Sequence, residues 1–217
     1  MSFARNVERM LESMVDRVAG RVFPGALAPA DLAGRVIRAV DLEVTTGSLG
    51  PEAPNVVEIR IHPADLDEAI GTTVLGAALG AAFEDEAALR GWRLDGPADI
   101  RLTADEAEPR GRPRIRTGHR PGPRPNWGAL RTDDTEYLLT DNRLSIGRSD
   151  TADVQVLHDS VSRAHALLWR EGGSVRLRDL GSANGTAVNG RRITGDTLVA
   201  DGDAVVFGEV TATMAIR

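Results

Sequence analysis

The last third of the sequence carries three polar side chains, each in or beside a glycine-containing turn, that together could hold an anion. Arg148 directly follows Gly147 at the end of an apolar run and offers a guanidinium fork. Ser162 offers a hydroxyl, and the glycine-rich turns nearby allow backbone N–H groups to approach an anion without side-chain obstruction. Asn184 has both a donor and an acceptor, so it could hold the backbone of an extended ligand. A phosphate group, with its negative charge and three acceptor oxygens, needs such a cation together with neutral donors.

Each of these residues also has a purely structural interpretation. An arginine at the end of a strand is usually a solvated side chain. Ser162 alone could cap a turn, and the pairs Asn184-Gly185 and Asn189-Gly190 are typical of hairpin turns. Only the joint occurrence of Arg148, Ser162 and Asn184 favours a binding site over this interpretation.

The composition excludes several classes of enzyme. The sequence has no cysteine, which excludes disulfides, thiolate metal sites and cysteine nucleophiles. All 26 basic residues are arginine, which excludes a Walker A lysine and Schiff-base chemistry. None of the four histidines belongs to a His-Glu-x-x-His sequence, and no Gly-x-Ser-x-Gly elbow or EF-hand loop is present. We therefore predict a protein that is not an enzyme and that needs no metal ion or cofactor.

Short strands account for the whole pattern of residues 132–217. Apolar runs recur at short intervals, and turn sequences such as Gly172-Gly173, Asn189-Gly190 and Asp201-Gly202 separate them. This spacing predicts an all-β sandwich domain. The runs are Tyr137 to Leu139, Leu144 and Ile146, Val154 and Val156, Ala166 to Trp169, Val175 and Leu177, Leu198 and Val199, Val205 to Phe207, and Met214 and Ile216.

Residues 1–108 mix the periodicities of helix and strand. One apolar stripe predicts a first helix that Gly20 and Pro24 end, and it consists of Phe3, Val7, Met10, Leu11, Met14 and Val18. Prolines at 29 and 63 are placed to begin two further helices. Strands are predicted where Val57, Ile59 and Ile61 alternate with polar residues and again at Ile100 and Leu102. The order α-α-β-α-β indicates an N-terminal α+β domain.

Between the two domains, residues 109–131 are rich in arginine, proline and glycine and contain no acidic residue. Such a stretch buries little apolar surface, so we interpret most of it as a linker. The alternation of Arg112, Arg114 and Arg116 with Pro113 and Ile115 leaves a second interpretation open, in which a short edge strand completes the first domain.

The charge distribution allows a second hypothesis about function. The formal net charge of -6 argues against nucleic-acid binding by the whole molecule, so nucleic acid is not expected as a partner. The arginine-rich linker could nevertheless form a local basic patch. In this alternative the chain is a nucleic-acid-binding regulator.

The loops of the predicted sandwich resemble those of the forkhead-associated (FHA) domain, a β-sandwich that binds phosphothreonine peptides. The resemblance rests on Ile146-Gly147-Arg148, Val161-Ser162-Arg163-Ala164-His165, Asp179-Leu180-Gly181-Ser182-Ala183-Asn184-Gly185-Thr186 and Val188-Asn189-Gly190, in this order. It implies that Arg148 and Ser162 bind the phosphate and that Asn184 and Arg163 contact the peptide backbone. It also implies a set of supporting residues, namely Gly147, His165, Ser182, Gly185 and Asn189.

One position departs from the family pattern. The residue before the Asn-Gly pair is often a threonine or serine that adds a hydroxyl contact to the phosphate, and here it is Ala183. Losing one such hydrogen bond to a charged group removes about 1.5–3 kcal/mol, so binding could be weaker by about tenfold or more unless Ser182 compensates. Asp159, Ser160 and Asn142 are expected in the same loops, where they could select neighbouring ligand residues.

The N-terminal half resembles the N-terminal domain of actinobacterial FhaA-type proteins, in which an FHA domain follows. The matching patches are Phe3-Ala4-Arg5, Glu8 to Glu12, Val22-Phe23 and Pro29 to Ala33. The resemblance implies an adaptor that binds phosphothreonine-containing proteins downstream of a Ser/Thr protein kinase, with a link to cell-wall or division control. A further protein partner of the N-terminal domain is expected.

The sequence also bears on location and on possible self-recognition. No apolar run is long enough to span a bilayer and no secretory signal is present at the start, so we expect a cytoplasmic protein that a partner recruits to the inner face of the membrane. Thr45, Thr46, Thr132 and Thr135 lie beside acidic residues. If a kinase modified one of them, the FHA site could bind it within the same chain, because tethering raises the effective concentration.

Overall fold

The computed structural model describes residues 3–14, 27–66 and 70–217. By its internal contacts the chain divides into two compact units. The first comprises Met1–Thr45, Glu52–Ala87 and Leu94–Gly122, and the second comprises Thr46–Pro51, Ala88–Arg93 and Pro123–Arg217. No helix within the described ranges is both long and apolar enough to cross a membrane.

Two amphipathic helices of the first unit lie where their apolar stripes predict them. They are α1 (Phe3–Met14) and α2 (Pro29–Asp41), and they pack against each other. Their buried apolar residues include Phe3, Val7 and Leu11 in α1 and Leu32, Val36, Ile37 and Val40 in α2. The ring of Phe3 also meets that of Phe83 edge to face at 6.4 Å. The predicted end of the first helix at Gly20 and Pro24 lies outside the described residues, as does Val18.

The third helix begins later than the sequence predicts. Pro63 starts only a short 3-10 helix, Pro63–Asp65, and the α-helix α3 spans Gly71–Arg90. The backbone of Leu66 is extended, with φ −97° and ψ 141°, so a helix that starts at Pro63 cannot continue through this residue. The prediction of a helix is therefore wrong at Leu66 and correct from Gly71 onward.

The strands of the N-terminal region form two small sheets. β1 (Thr45–Gly47) pairs with β2 (Gly50–Glu52), and a three-stranded sheet has the order β4-β3-β5 with β3 (Val56–Ile61), β4 (Asp99–Ala104) and β5 (Arg114–Gly118). β3 runs parallel to β4 and antiparallel to β5. The alternating residues Val57, Ile59 and Ile61 are buried as the pattern predicts. The mixture of helices and strands confirms the predicted α+β class.

Eleven described strands form a β-sandwich in the second unit, which confirms the predicted all-β domain. One sheet has the order β14-β11-β10-β8-β9 and the other β13-β12-β15-β16-β6-β7. In chain order the strands are β6 (Gly128–Arg131), β7 (Glu136–Leu139), β8 (Arg143–Gly147), β9 (Val154–Gln155), β10 (Ala166–Glu171), β11 (Ser174–Asp179), β12 (Thr186–Val188), β13 (Arg191–Arg192), β14 (Thr197–Val199), β15 (Ala204–Phe207) and β16 (Val210–Ile216).

A single apolar core lies between these sheets. Alternate residues point into it because successive side chains of a strand face opposite sides. From one sheet come Leu144 and Ile146, and from the other come Val205 and Phe207, all at most 1% exposed. This core fixes the ends of the strands and thereby the loops that leave them.

Much of the range predicted as a linker, 109–131, is ordered as strand or core. β5 pairs with β3 through register partners such as Ile115 and Ile59, which is the edge-strand interpretation that the sequence left open. Trp127 is buried in the core of the sandwich, and β6 pairs with β16. Residues 119–127 have no regular secondary structure. The contacts of the apolar residues at 115, 127 and 130 thus order this range, even though most of the residues around them are polar, proline or glycine.

Candidate phosphopeptide-binding site

Three loops leave the sandwich at the same end. In the antiparallel register, Ala166 at the start of β10 pairs with Ile146 near the end of β8 and with Asp179 at the end of β11. The loop after β8, the loop before β10 and the loop after β11 therefore emerge side by side. They carry Arg148, Ser162 and Asn184, so the strand register brings together the three residues that the sequence singles out.

Arg148 is held from its backbone and from one side of its guanidinium group. Its N–H donates to the carbonyl of Ser162 at 2.9 Å, and its Nε donates to the carbonyl of Val161 at 3.2 Å. The residue is exposed. Among the described residues no hydrogen bond of its two terminal nitrogens is present, so they can serve an anion in solvent.

Gly147 is required by the close approach of the neighbouring loop. A Cβ at this position would overlap the carbonyl oxygen of Arg163 and lie 2.8 Å from its carbonyl carbon and 3.1 Å from the Ser162 oxygen. These are backbone atoms that cannot rotate away. Glycine therefore lets the chain after β8 run directly against the Ser162 loop.

Ser162 links two of the loops. Its Oγ accepts a hydrogen bond from the N–H of Ala183 at 3.0 Å. A hydroxyl has one proton to donate and two lone pairs. Because the Ala183 bond uses only a lone pair, the hydroxyl proton is available to donate to a phosphate oxygen.

His165 braces the loops from inside the domain. Its Nδ1 accepts from the N–H of Ser162 at 3.0 Å, its Nε2 lies 3.2 Å from the Gly185 carbonyl, and the side chain is 0% exposed. The ring stands edge to face on Phe207 at 5.8 Å. Since Nδ1 accepts, the proton of the neutral imidazole belongs on Nε2. Burial lowers the pKa of His165 below its usual value, and the Gly185 bond and the charge of Asp179 oppose this only in part.

Asp179 organises the third loop, although it is not among the residues that the sequence singles out. One carboxylate oxygen accepts from the N–H groups of Gly181 and Ser182 at 2.8 and 2.9 Å, and the other accepts from the hydroxyls of Ser182 and Thr186, each at 2.6 Å. Burial favours the neutral carboxyl, but the hydrogen bonds from Ser182 and Thr186 outweigh it and hold the pKa of Asp179 below its usual range. An aspartate two and three residues before the N–H groups that it binds is an Asx-turn signal, so spacing alone could have found it.

Ser182 has a supporting position in this turn. Its hydroxyl donates to Asp179 and accepts from the N–H of Gly185 at 2.9 Å. The hydroxyl proton is therefore engaged. Ser182 does not replace the hydroxyl that the family pattern has at position 183, where Ala183 has only a methyl group.

Asn184 is exposed at the tip of the same loop. Its Nδ2 donates to the carbonyl of Ser160 at 2.8 Å, which orients the amide. The carbonyl oxygen and the second N–H remain for a ligand backbone. Gly185 follows with φ +83°, a conformation that favours glycine, and its carbonyl accepts from the N–H of Gly208 at 3.0 Å.

Arg163 and Asn189 occupy different positions relative to the site. Arg163 lies in the Ser162 loop, its side chain is exposed, and its carbonyl accepts from the N–H of Ser149 at 3.2 Å. Asn189 lies in the turn after β12, away from the loop that precedes this strand, and its Nδ2 donates to Asp203 at 2.8 Å. The structure thus places Asn189 as a brace between β12 and β15 and does not bring it beside Arg148.

The expectation for Asn142 is wrong. This residue precedes β8, whereas Arg148 follows it, and the two lie at opposite ends of the strand. Asn142 is 0% exposed and accepts from Arg170. It therefore cannot select ligand residues. Asp159 and Ser160 do lie in the loop before β10, where the Ser160 hydroxyl accepts from the N–H of Glu209 at 2.9 Å.

Several arginines of the predicted linker are already paired. Arg114 lies 2.9 Å from Glu108, Arg120 pairs with Asp99, and the side chain of Arg124 is 4% exposed and donates to the Thr140 carbonyl. These pairs reduce the basic surface that the stretch offers. Within the described ranges, no group of three or more histidine and acidic residues could hold a metal ion.

Comparison with protein-family models gives two matches. The model described as "FHA domain" matches residues 144–208, and the model described as "FhaA, N-terminal domain" matches residues 4–116, more than half of the chain. The chain belongs to the FhaA N-terminal-domain family and carries an FHA domain. Both resemblances in the sequence are therefore confirmed.

Relatives with assigned names match over part of their length. The glycogen accumulation regulator GarA of Mycolicibacterium smegmatis is 37% identical over 75 residues, which are 35% of this chain and 47% of GarA. The oxoglutarate dehydrogenase inhibitor of Corynebacterium diphtheriae is 35% identical over 85 residues, 39% of this chain and 54% of the inhibitor. The chain spans about half the length of these relatives. Among solved structures, Mycobacterium tuberculosis EmbR in complex with a low-affinity phosphopeptide is 28% identical, with a TM-score of 0.40 and coverage of 42% of this chain and 24% of EmbR.

Proposed function

We propose that the FHA domain binds phosphothreonine peptides and that the protein is a non-catalytic adaptor in Ser/Thr kinase signalling. The observation that carries the proposal is the meeting of Arg148, Ser162 and Asn184 at one end of the sandwich, on loops joined by hydrogen bonds. Membership of the FHA family supports the same conclusion. Arg148 and Ser162 bind the phosphate, and Asn184, together with Arg163, holds the peptide backbone.

The mechanism is electrostatic and needs little rearrangement. The guanidinium fork of Arg148 supplies two donors and a positive charge, and the Ser162 hydroxyl adds a neutral donor. His165, Asp179 and Gly147 fix the loops before the ligand arrives. Binding a preformed site avoids part of the entropy that is otherwise lost on ordering loops.

The family and the names of the relatives support a proposal for the cellular setting. A cytoplasmic adaptor that a Ser/Thr kinase or its phosphorylated substrates recruit to the inner face of the membrane agrees with an FhaA-type arrangement. GarA is named a regulator and the corynebacterial relative an inhibitor, which supports a regulatory role without catalysis. A link to cell-wall or division control, and a protein partner of the N-terminal domain, are parts of this proposal.

The structure gives no support to binding of Thr132 or Thr135 by the site of the same chain. Both lie in the hairpin turn between β6 and β7, where the Thr132 hydroxyl accepts from the Thr135 N–H at 3.0 Å. β6 is separated from β12 by β16 and β15. A strand spacing of about 4.8 Å puts this turn about 14 Å to one side of the loop before β12, so the hairpin would have to open.

The test uses the full chain and matched peptides. We expect binding of phosphothreonine peptides, weaker binding of the phosphoserine versions and no measurable binding of the unphosphorylated ones, by fluorescence anisotropy. Two results would contradict the proposal and favour the nucleic-acid alternative. One is equal affinity for the phosphorylated and unphosphorylated peptides, and the other is binding of duplex DNA with an affinity that decreases steeply as the salt concentration rises.

A further inference from the structure

One ion pair reaches the Arg148 loop from a residue that lies outside the FHA match. This loop, residues 148–153, joins β8 to β9 and ends at Asp153. The Arg93 guanidinium group binds the Asp153 carboxylate in a bidentate manner, with Nη2 2.6 Å from Oδ1 and Nη1 3.2 Å from Oδ2. The FHA match covers residues 144–208, whereas Arg93 lies within the match to the FhaA N-terminal domain, residues 4–116. By its contacts Arg93 belongs to the second unit, at the end of the segment Ala88–Arg93.

Asp153 closes the Arg148 loop on β8. Its Oδ2 accepts from the N–H and from the hydroxyl of Ser145, each at 2.7 Å. The Asp153 N–H in turn donates to the Ser145 Oγ at 3.0 Å. This reciprocal arrangement places the end of the loop beside the middle of β8, and Arg93 binds the same carboxylate from the other side.

The Arg148 loop is therefore held at both ends. At its start, the N–H groups of Arg148 and Ser149 donate to the carbonyls of Ser162 and Arg163 at 2.9 and 3.2 Å. At its end, Asp153 is bound to β8. Because only four residues, 149–152, lie between Arg148 and Asp153, the loop has few dihedral angles with which to absorb a shift of Asp153.

Arg93 is itself fixed in place. Its N–H donates to the Pro51 carbonyl at 2.8 Å, and its Nη1 also donates to the carbonyl of Arg143 in β8. The side chains of Arg93 and Asp153 are only 20% and 18% exposed. Water therefore screens this ion pair less than it screens an exposed pair.

The Asp153 carboxylate depends on Arg93 for its counter-charge. Burial favours the neutral carboxyl, but the hydrogen bonds from Arg93 and Ser145 outweigh it and hold the pKa of Asp153 below its usual range. In the described part of the chain, Arg93 is the cation that pairs with Asp153. Without Arg93 a largely buried negative charge remains at the end of the loop, and such a charge favours movement toward solvent.

We propose that Arg93 is a positioning residue for phosphopeptide binding, which acts through Asp153 to hold the Arg148 loop in its binding conformation. This inference rests on the proposed function and adds to it a residue from outside the FHA match. A loop that is already ordered loses less entropy when the ligand binds. Substitution of Arg93 is therefore expected to weaken binding, although it removes no donor from Arg148, Ser162 or Asn184.

The experiment measures a double-mutant cycle on the full chain. Isothermal titration calorimetry gives the affinity of wild type, Arg93→Gln, Asp153→Asn and the double variant for one phosphothreonine peptide, and unfolding curves verify that each protein is folded. Each single substitution is expected to weaken binding by about fivefold to tenfold, and the double variant by no more than either single one, because the two residues act as a pair. Arg131→Gln is the control, since it has the same change in charge and breaks the ion pair with Glu136 at 2.7 Å. It is expected to bind as wild type does.

Amide hydrogen exchange of the free protein tests the positioning role without a ligand. In Arg93→Gln, exchange is expected to become faster in residues 148–153 and to stay unchanged in residues 180–185, which carry Asn184. Arg93→Lys keeps the charge but loses the planar fork, so it is expected to show smaller changes in exchange and in affinity. If Arg93→Gln is unfolded, Arg93→Lys takes its place in both measurements.

Four results would overturn the inference. Folded variants with the wild-type affinity and exchange would show that Arg93 does not position the loop. Additive weakening in the double variant would show that Arg93 does not act through Asp153. Faster exchange throughout the second unit would make Arg93 a general structural support. Wild-type protein that binds no phosphothreonine peptide would refute the proposed function itself, and the exchange data would still report whether Arg93 orders the loop.

Discussion

At the scale of single residues, the site separates side chains that face a ligand from those that hold the loops. Arg148 and Asn184 are exposed, and the side chain of each donates one hydrogen bond to a backbone carbonyl. His165 is buried and every polar atom of its ring is used. This division explains why Ser182, although it lies only two residues before Asn184, supports the turn and does not face the phosphate.

Replacing Ala183 with threonine is expected to tighten phosphopeptide binding. The Ala183 N–H already lies on the Ser162 hydroxyl, so a side chain at this position begins close to the phosphate-binding residues. A new hydroxyl contact to a charged oxygen is worth about 1.5–3 kcal/mol at best, so Ala183→Thr is expected to improve the affinity by about tenfold. Calorimetric titration of wild type and variant measures this. Unchanged or weaker binding would mean that the site does not place the phosphate beside residue 183.

The stability of the FHA domain is expected to fall as the pH drops below about 6.5. The fold lowers the pKa of His165, since burial and the Ser162 N–H favour the neutral ring. In this range the unfolded chain binds a proton that the folded chain does not, so the free energy of unfolding decreases as the pH falls from about 6.5 toward the folded pKa. Denaturant unfolding between about pH 7.5 and 5, with an NMR titration of the His165 ring, measures both quantities. A His165 pKa at or above the usual value would contradict the structure.

The sequence predicts the side chains that meet a ligand better than those that hold the loops. Arg148, Ser162 and Asn184 follow from their residue types and their order along the chain. The Asx-turn bonds of Asp179 are local enough to follow from spacing, but its bond to the Thr186 hydroxyl, seven residues away, becomes visible only when the turn between them is folded. The prediction for Asn142 is wrong because the loops at the two ends of a strand have similar compositions, so composition does not tell which end of β8 carries the site.

At the scale of elements, strand register is what assembles the site. The pairing of Ala166 with both Ile146 and Asp179 brings three loop ends together. The sequence predicts the strands with clear apolar runs, such as β8, β10 and β15. It does not predict β12 and β13, since Thr186–Val188 and Arg191–Arg192 are short and lie on either side of a turn sequence. α3 starts later than predicted because a proline favours the first turn of a helix but does not determine whether the following residues continue it.

A methyl group at Gly147 is expected to disturb the site, whereas one at Gly195 is not. In Gly147→Ala the added carbon would overlap the Arg163 carbonyl, so the loop must shift, at a cost of about 1–3 kcal/mol in the free energy of unfolding and with weaker phosphopeptide binding. Gly195 has no positive φ and nothing within 4 Å of an added Cβ. Denaturant unfolding and peptide titration of both variants provide the comparison. Equal behaviour of the two would show that the close approach at Gly147 is unimportant.

At the scale of the whole molecule, the FHA domain begins before the acidic segment that precedes β7. Trp127 is 7% exposed, its indole N–H donates to the Asp141 carbonyl at 2.9 Å, and β6 pairs with both β16 and β7. The composition of 109–131 does not reveal that Trp127 and β6 belong to the sandwich, because a few apolar residues are enough to anchor a strand in a sheet. The predicted start of the sandwich, residue 132, therefore lies several residues after the point where the chain enters its core.

Two truncated chains test this boundary. A fragment of residues 132–217 lacks Trp127 and β6, and removal of a buried tryptophan alone typically costs about 3–5 kcal/mol. We expect it to unfold at much lower denaturant concentration than a fragment of residues 123–217, or to be unfolded without denaturant. Circular dichroism during urea unfolding measures the difference. Equal stability of the two fragments would mean that β6 adds nothing to the sandwich.

The central claim is that the full chain recognises a phosphate on threonine through Arg148. The most direct measurement is the affinity of wild type and Arg148→Gln for one phosphothreonine peptide by isothermal titration calorimetry, with Arg191→Gln as a control of equal charge and with unfolding curves to verify that each variant is folded. Loss of charged hydrogen bonds worth about 1.5–3 kcal/mol each predicts that Arg148→Gln binds at least about tenfold more weakly while Arg191→Gln binds as wild type does. A folded Arg148→Gln protein with the wild-type affinity would contradict the account.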